Sequence, residues 1–134
     1  MVRIALLVAV LAALASPAAA TIGGTHLRVT YWPAGQGNGP ARSWTLDCAP
    51  GGGSLPQAAA ACSKLARMRN PFAVPPKDQI CTEIYGGPQE AVVAGRFEGR
   101  RIWIRLARRN GCEIARFNRL RFLVPAFTGR EGPK

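Results

Sequence analysis

Histidine and acidic residues are scarce in this sequence, and their scarcity excludes several kinds of active site. The 134 residues include one histidine, His26, and seven Asp and Glu residues. One histidine cannot build a His-rich metal site, and a serine triad would need it beside an acid and a serine. No spacing among the acidic residues singles out a catalytic carboxylate pair. We therefore predict that the protein is not an enzyme and uses neither a cofactor nor a metal ion.

The sequence has only one long apolar run, and it lies near the N-terminus. Arg3 precedes an unbroken apolar run at 4–14, which a Ser-Pro pair and three alanines follow. The run is too short to span the roughly 30 Å of a bilayer's hydrocarbon core. A positive start, an apolar stretch and small residues at the cleavage position are typical of a secretory signal peptide. We predict a signal peptide at 1–20 cleaved after Ala20, a mature domain at 21–134, and a secreted, extracellular protein without a membrane anchor.

The four cysteines include no C-x-x-C pair, which argues against a structural zinc site. They are Cys48, Cys62, Cys81 and Cys112. In an oxidising extracellular compartment an even number of cysteines indicates disulfides, and four cysteines allow three pairings. Sequence order favours the two local, non-crossing pairs, Cys48–Cys62 and Cys81–Cys112. On the chain-entropy estimate these two loops would stabilise the domain by about 3 and about 4 kcal/mol.

Hydrophobic periodicity divides the mature chain into strands and two helices. The predicted strands cover 27–32, 42–48, 90–98, 100–108 and 121–127, with a hairpin turn at Glu98-Gly99. A capping pattern at Ser54 predicts a helix that ends before Asn70-Pro71, and a second short helix is expected at 111–120. The apolar face of the first helix comprises Ala58, Ala61, Cys62, Leu65 and Met68. The expected fold class is α+β, a five-stranded antiparallel sheet with two short helices on one side.

The positive charge of the chain is mostly arginine. There are 18 Lys and Arg residues against 7 acidic ones, a formal net charge of +11. Arginines crowd the predicted hairpin and the segment after it: Arg96, Arg100, Arg101, Arg105, Arg108, Arg109, Arg116, Arg119 and Arg121. Such a stripe could bind phosphate groups, but no helix-turn-helix, zinc finger or RNP pattern accompanies it. A secreted cationic module that binds nucleic acid or an anionic envelope polymer is the alternative function, although nucleic acid is not the partner we expect.

A long proline- and glycine-rich loop at 70–89 is the least ordinary feature of the sequence. Loops of this length in compact domains tend to be functional or disordered, and a disulfide at Cys81 would hold this one in place. Proteases bind substrates as extended strands and recognise side chains on both sides of the scissile bond. A rigid, exposed loop loses little conformational entropy on entering such a cleft. Residues 79–88 fit this description.

Two cysteine motifs carry a resemblance to a known family. The run CTEIYGGP at 81–88 followed by NGCEIARF at 110–117, together with TLDCAPGG and FEGRRI, resembles the Streptomyces subtilisin inhibitor family. The resemblance implies a secreted homodimer of α+β subunits with a five-stranded antiparallel sheet, two short helices and the disulfides Cys48–Cys62 and Cys81–Cys112. It also implies inhibition of subtilisin-like serine proteases by a substrate-like standard mechanism.

The resemblance also implies roles for individual residues in the loop. The scissile (reactive) bond falls between Glu83 and Ile84. The residues expected to contact the protease are Ile80, Cys81 and Thr82 on the non-primed side and Tyr85 and Gly86 on the primed side. Asn110, close to Cys112, corresponds to the asparagine that supports the loop from below by hydrogen bonding.

Glu83 departs from the Met or Lys that the best-known members carry before the scissile bond. A trypsin-type pocket contains a buried acid, and Glu83 would place a like charge beside it in a desolvated site. Inhibition of trypsin through this bond is therefore not expected. Subtilisin has a broad pocket that tolerates Glu, and a glutamyl-specific serine endopeptidase is the more pointed alternative target.

Overall fold

The computed structural model describes residues 24–128. The predicted signal peptide at 1–20 lies outside the described residues, as do the first residues of the predicted mature domain. Within the described part of the chain, no helix is both long enough and apolar enough to cross a membrane.

Four strands form one antiparallel sheet with an apolar face and a polar face. They are β1 (Thr25–Trp32), β2 (Arg42–Cys48), β3 (Glu90–Phe97) and β4 (Arg100–Leu106), in the spatial order β2-β1-β3-β4. Side chains alternate between the two faces of a strand. In β1, therefore, Leu27, Val29 and Tyr31 are buried while His26 and Arg28 are exposed.

The predicted hairpin between β3 and β4 is confirmed. Glu98 and Gly99 form its turn, with positive φ values of 48° and 79°, the left-handed conformation that two-residue hairpin turns require. The turn pairs Ala91 with Leu106 at the far end of the hairpin. As a result, the end of β4 lies beside the start of β3, where the loop at 70–89 enters the sheet.

Two helices lie on the apolar side of the sheet. They are α1 (Ala58–Arg67) and α2 (Gly111–Leu120), close to the predicted ranges. The predicted apolar face of α1 is confirmed: Ala61 and Leu65 are buried, and Ala58, Cys62 and Met68 pack against the core. From α2, Phe117 and Leu120 enter the same core.

The predicted fifth strand at 121–127 is wrong, because the described sheet has four strands. Residues Arg121–Leu123 instead form a 3-10 helix that continues directly from α2. The buried residues at this end of the chain are Leu120, Leu123, Val124 and Phe127. Their spacing of three, one and three residues is helical rather than alternating, and Pro125 has no N–H to donate to a sheet.

Ser54 does not cap α1, contrary to the sequence-based prediction. Gln57 precedes the helix in a left-handed conformation, with φ 54°, and makes no side-chain capping bond. The Ser54 hydroxyl instead accepts a hydrogen bond from the backbone N–H of Thr45 at 2.9 Å, and the Ser54 N–H donates to the Thr45 hydroxyl at 3.1 Å. Ser54 therefore ties the segment before α1 to β2.

Both expected disulfides are present. Cys48–Cys62 joins the end of β2 to α1, with Cα atoms 5.7 Å apart, and Cys81–Cys112 joins the long loop to the first turn of α2, with Cα atoms 5.4 Å apart. All four cysteines are paired. The first bridge holds the sheet to its helical layer, and the second belongs to the loop described next.

Candidate functional site

Residues 79–88, called here the Cys81 loop, present apolar side chains to solvent. Ile80 is 96% exposed, Tyr85 67% and Ile84 51%, and Glu83 between them is also exposed. Large apolar side chains normally enter the core, so a run of them on the surface indicates a binding surface. Residues 82–85, which include the predicted Glu83–Ile84 bond, are thus continuously exposed, while Cys81 and Gly86 on either side are half-buried.

Three attachments, one disulfide and two bonds between backbone groups, hold the Cys81 loop to the rest of the domain. The Cys81–Cys112 disulfide is the first. The second is a hydrogen bond from the Gly111 N–H to the Thr82 carbonyl at 2.9 Å, and the third runs from the Gly86 N–H to the Arg108 carbonyl at 2.7 Å. The attachments lie on either side of residues 83–85. The loop is therefore fixed at both ends, and the predicted scissile bond lies between the fixed points.

The loop approaches its support so closely that two glycines have no room for a side chain. A Cβ built on Gly111 would lie 2.0 Å from the Thr82 hydroxyl oxygen. A Cβ built on Gly86 would lie 2.8 Å from the Ile114 Cδ1 atom. A Cβ on Gly111 would displace Thr82, and a Cβ on Gly86 would displace the end of the Ile114 side chain, so these glycines let the loop lie close against α2.

Arg108 supports the Cys81 loop at Gly86, a role that the sequence did not predict. Its side chain is buried, with 3% of the residue exposed. Its Nε donates to the Gly86 carbonyl at 3.1 Å, and its Nη1 donates to the Asn118 side-chain oxygen at 3.0 Å. The guanidinium lies 5.4 Å from the Phe117 ring centroid and 4.9 Å from that of Phe127, within cation–π range.

Burial is the main influence on the ionisation of Arg108. It lowers the pKa of the guanidinium from its ordinary value, and the nearby Arg121 lowers the pKa further, while Tyr31 raises it. A buried cation needs hydrogen-bond acceptors to replace lost water. The Gly86 carbonyl and the Asn118 oxygen supply them, so the charge and the loop stabilise one another.

The Asn110 side chain caps α2, and its role as a support of the Cys81 loop remains a prediction. Its extended backbone places the side-chain oxygen where it accepts a hydrogen bond from the Glu113 N–H at 3.0 Å. This bond satisfies one of the unpaired N–H groups at the start of the helix. Because Gly111 and Cys112 follow directly, a fixed helix start also fixes two of the three loop attachments. Asn110 is therefore expected to act on the loop indirectly: it fixes the start of α2, and the start of α2 holds the loop.

Glu113 completes the start of α2. Its carboxylate accepts from the Arg109 backbone N–H at 2.9 Å and from the Arg109 Nη2 at 2.9 Å. Burial acts to raise the pKa of this carboxyl, but the hydrogen bonds and charge of Arg109 outweigh burial and hold the pKa below its ordinary value. Glu113 is therefore ionised at neutral pH, as the positive end of a helix dipole favours.

No metal-binding cluster accompanies the loop. Among residues 24–128, no group of three or more His, Cys, Asp or Glu side chains is arranged to hold a metal ion. The site consists of an exposed backbone segment, its apolar and acidic side chains, and its supports.

Comparison with known proteins identifies the family. Residues 22–110, more than half of the chain, match the family model of subtilisin inhibitor-like proteins. No curated protein matches the sequence. Among solved structures, the chain is similar to sermetstatin from Streptomyces caespitosus, crystallised in complex with subtilisin from Bacillus licheniformis. That similarity has 26% identity and a TM-score of 0.49, and it covers 78% of this chain and 100% of sermetstatin's. The resemblance drawn from the cysteine motifs is thus confirmed: this chain belongs to the subtilisin inhibitor-like family and is a protease inhibitor, not an enzyme.

Proposed function

We propose that the protein is secreted and inhibits subtilisin-like serine proteases by presenting residues 80–86 to the active-site cleft as a substrate would. The observation that carries the proposal is the exposed Glu83–Ile84 bond held between the attachments at Thr82 and Gly86. An extended peptide gains affinity from main-chain hydrogen bonds and specificity from side-chain pockets. Because the loop is already ordered, little of this affinity is lost to ordering it.

The same attachments support a standard mechanism. Attack by the protease serine on the Glu83 carbonyl carbon forms an acyl-enzyme and releases the amine of Ile84. Thr82 remains hydrogen-bonded to Gly111, and Gly86 remains bonded to Arg108. The amine therefore stays close to the acyl carbon and can attack it again, which reforms the peptide bond and frees the serine. Hydrolysis is slow because water must compete with a tethered amine.

Glu83 points to a protease that accepts an acidic residue at this position. A pocket lined with cationic or hydrogen-bond-donating groups would stabilise the carboxylate, whereas an acidic pocket would repel it. We infer that the order of preference is a glutamyl-specific serine endopeptidase, then subtilisin, then trypsin. The secretion of the protein and the homodimer implied by the resemblance belong to this proposal and remain predictions.

Titration of active protease tests the proposed site directly. Adding the mature protein to subtilisin and to a glutamyl-specific serine endopeptidase should abolish activity near one equivalent, while trypsin should keep its activity. After brief exposure to subtilisin, mass spectrometry should find a single cut, between Glu83 and Ile84. Full subtilisin activity at micromolar excess of the protein would exclude the proposal, and a single cut elsewhere would exclude the assigned bond.

Glu83→Lys should produce an inhibitor of trypsin. The substitution replaces a repelled carboxylate with the ammonium that a trypsin-type pocket binds, and the exposed position of Glu83 means that the fold tolerates it. We expect a gain in trypsin affinity of at least about a thousandfold, since like-charge contacts cost several kcal/mol. Glu98→Lys, with the same charge change in the β3–β4 turn, is the matched control. If Glu83→Lys and the control behave alike toward trypsin and subtilisin, the residue facing the specificity pocket is not Glu83.

A further inference from the structure

The connection between β1 and β2 lies at the same end of the sheet as the Cys81 loop. The register pairs Trp32, the last residue of β1, with Glu90, the first residue of β3. Residues 33–41 therefore leave β1 next to the place where the Cys81 loop enters β3. The first part of this connection, residues 33–39, is called the Gly35 turn below.

The connection is longer than the fold requires. Two residues suffice to join neighbouring antiparallel strands, and most hairpin loops have about two to five, whereas nine residues separate Trp32 from Arg42. None of the nine is charged, although the chain has a formal net charge of +11. An uncharged stretch beside the Cys81 loop fits a protein contact, because the centre of a protein interface is depleted in charged residues.

The Gly35 turn is held in place against the Cys81 loop. Gly35 is buried with a φ of 87°, and a Cβ built on it would lie 3.1 Å from the Pro88 carbonyl oxygen. The Gln36 N–H donates to the Glu90 carboxylate at 3.4 Å. Within the turn, the Asn38 N–H donates to the Gly35 carbonyl at 3.1 Å. The turn is therefore ordered before a partner binds, so little affinity is lost to ordering it.

The tip of the Gly35 turn is exposed and presents small or amide side chains. Gln36, Gly37 and Asn38 are all exposed. A Cβ built on Gly37 would lie more than 4 Å from the described residues other than its chain neighbours, which leaves room for the close approach of another backbone. A side-chain amide both donates and accepts hydrogen bonds. The tip is therefore suited to the backbone groups of another protein.

A cleft joins the Gly35 turn to the predicted primed side of the Cys81 loop. This cleft, called the Tyr85 cleft below, has a volume of about 200 Å³, and its lining includes Gln36, Asn38, Tyr85 and Arg109. Tyr85 itself is largely exposed. Pockets for small molecules usually have volumes of about 300–1,000 Å³, so the Tyr85 cleft is small for an independent ligand. A protein that binds the loop beyond Ile84 would meet the cleft and the turn together.

We propose that the Gly35 turn is a second contact surface for the protease, on the primed side of the Glu83–Ile84 bond. The amides of Gln36 and Asn38 bond to backbone groups at the rim of the protease active site, and a side chain from that rim enters the Tyr85 cleft. This proposal rests on the proposed inhibitory function and extends it from one segment of the chain to two.

A polyanion fits this surface less well than a protease does. The Gly35 turn has no cation to pair with phosphate, sulfate or carboxylate groups. Arg109, which lines the Tyr85 cleft, already pairs with Glu113 at 2.9 Å. Neutral amides beside an exposed aromatic ring instead match the polar and aromatic composition of protein interfaces.

Replacing both amides with alanine, Gln36→Ala with Asn38→Ala, tests the contact. The bonds that hold the turn remain, because both residues make them through backbone N–H groups. The inhibition constant for subtilisin should rise by about tenfold, since losing a hydrogen bond weakens binding by about two- to tenfold. Most of the change should lie in the dissociation rate. Amide exchange of residues 33–41 should also slow when the parent protein binds subtilisin.

Asn38→Arg and Ser63→Arg form a matched pair of variants. Both place an arginine at an exposed position, but Ser63 lies on α1 and does not line the Tyr85 cleft. Asn38→Arg should block the cleft and weaken inhibition at least as much as the double alanine variant. Ser63→Arg should inhibit subtilisin like the parent protein.

Three results with an inhibiting parent protein would overturn the proposal. The first is an unchanged inhibition constant for the double alanine variant. The second is faster hydrolysis of the Glu83–Ile84 bond at an unchanged dissociation rate, which would mean that the turn supports the loop without touching the protease. The third is a changed mass in sedimentation with unchanged inhibition, which would make another copy of the chain the occupant. A parent protein that does not inhibit would overturn the proposed function as well, so the two failures are distinguishable.

Discussion

Replacing both Cys81 and Cys112 with serine is expected to turn the inhibitor into an ordinary substrate of subtilisin. The disulfide is the covalent attachment of the Cys81 loop, and it lies two residues before the proposed scissile bond. Without it, the hydrogen bond from the Gly111 N–H to the Thr82 carbonyl is the remaining backbone attachment next to Glu83. The new ends formed by cleavage would then separate before the amine of Ile84 could attack the acyl-enzyme.

The expected size of this effect follows from chain entropy. Ordering one residue costs about 1–2 kcal/mol, so freeing about four loop residues raises the cost of binding by about 4–8 kcal/mol. That range corresponds to a loss of affinity of at least about a thousandfold. Inhibition constants and the rate at which intact protein disappears, followed by mass spectrometry, measure both consequences.

Serine replacement of Cys48 and Cys62 is the matched control. This bridge closes a shorter loop, so removing it should lower stability by about 3 kcal/mol, against about 4 kcal/mol for the other bridge. It joins β2 to α1 and does not touch the Cys81 loop. The control should remain an inhibitor at temperatures where circular dichroism finds it folded. A folded Cys81 and Cys112 double variant that stays intact and inhibits like the parent protein would contradict the proposed role of the bridge.

The Cys81 loop and its disulfide could be predicted from sequence because residue types within the segment and the order of the cysteines determine them. Proline and glycine exclude regular structure from most of 70–89, and the order of the cysteines favours the Cys81–Cys112 pair. The hairpin was predictable for the same reason, since Glu98-Gly99 interrupts two alternating runs. Exposure of Ile80 and Tyr85 could not be read from their types, because apolar residues are usually buried. It depends on the support supplied by α2.

The end of the chain was misassigned because two patterns overlap there. Residues 121–127 contain β-formers and follow a predicted helix, which favoured a strand. The buried residues Leu120, Leu123 and Phe127 instead continue the helical period of α2, and counting from the helix would have predicted this result. The prediction that Ser54 caps α1 is wrong for a different reason. The Ser54 side chain bonds to Thr45 of β2, and a capping rule based on neighbouring residues does not consider a strand that competes for the same hydroxyl.

The burial of Arg108 and its bond to the loop could not be predicted from the sequence. It lies in a run of arginines and has the same residue type as its neighbour Arg109, yet Arg108 is buried and Arg109 is exposed. What distinguishes them is the aromatic and polar surroundings that α2 and the segment after it bring to Arg108. Charge counts treat the two residues alike and assign both to a solvated surface, so they do not separate the buried support of the loop from the exposed arginines.

Replacing Arg108 with methionine should therefore impair inhibition far more than the loss of one charge explains. The methionine side chain can fill much of the space between Phe117 and Phe127 but cannot donate to the Gly86 carbonyl or to Asn118. Leaving buried acceptors unpaired costs about 1–3 kcal/mol each. We expect an inhibition constant raised by about 30-fold or more, together with faster hydrolysis of the complex, because Gly86 holds the primed side of the cleaved bond.

Arg108→Lys separates charge from geometry in this prediction. A lysine keeps the positive charge but is a point donor without the planar fork that reaches both acceptors, so it should recover only part of the inhibition. Arg67→Met, at an exposed position in the last turn of α1, should behave like the parent protein. If Arg108→Lys inhibits as well as the parent protein, charge alone accounts for the effect and the bond to Gly86 does not.

A general loss of stability must also be distinguished from loss of the loop support. Leu65→Ala provides that comparison, because Leu65 is buried in α1 and its truncation should destabilise the domain by about 2–5 kcal/mol. It leaves the contacts of Arg108 and Gly86 in place. At a temperature where both variants are folded, Leu65→Ala should form a long-lived complex with subtilisin, whereas Arg108→Met should be hydrolysed within it. Equal lifetimes of the two complexes would mean that Arg108 acts through global stability alone, since only a group that holds the cleaved end can change religation without unfolding the protein.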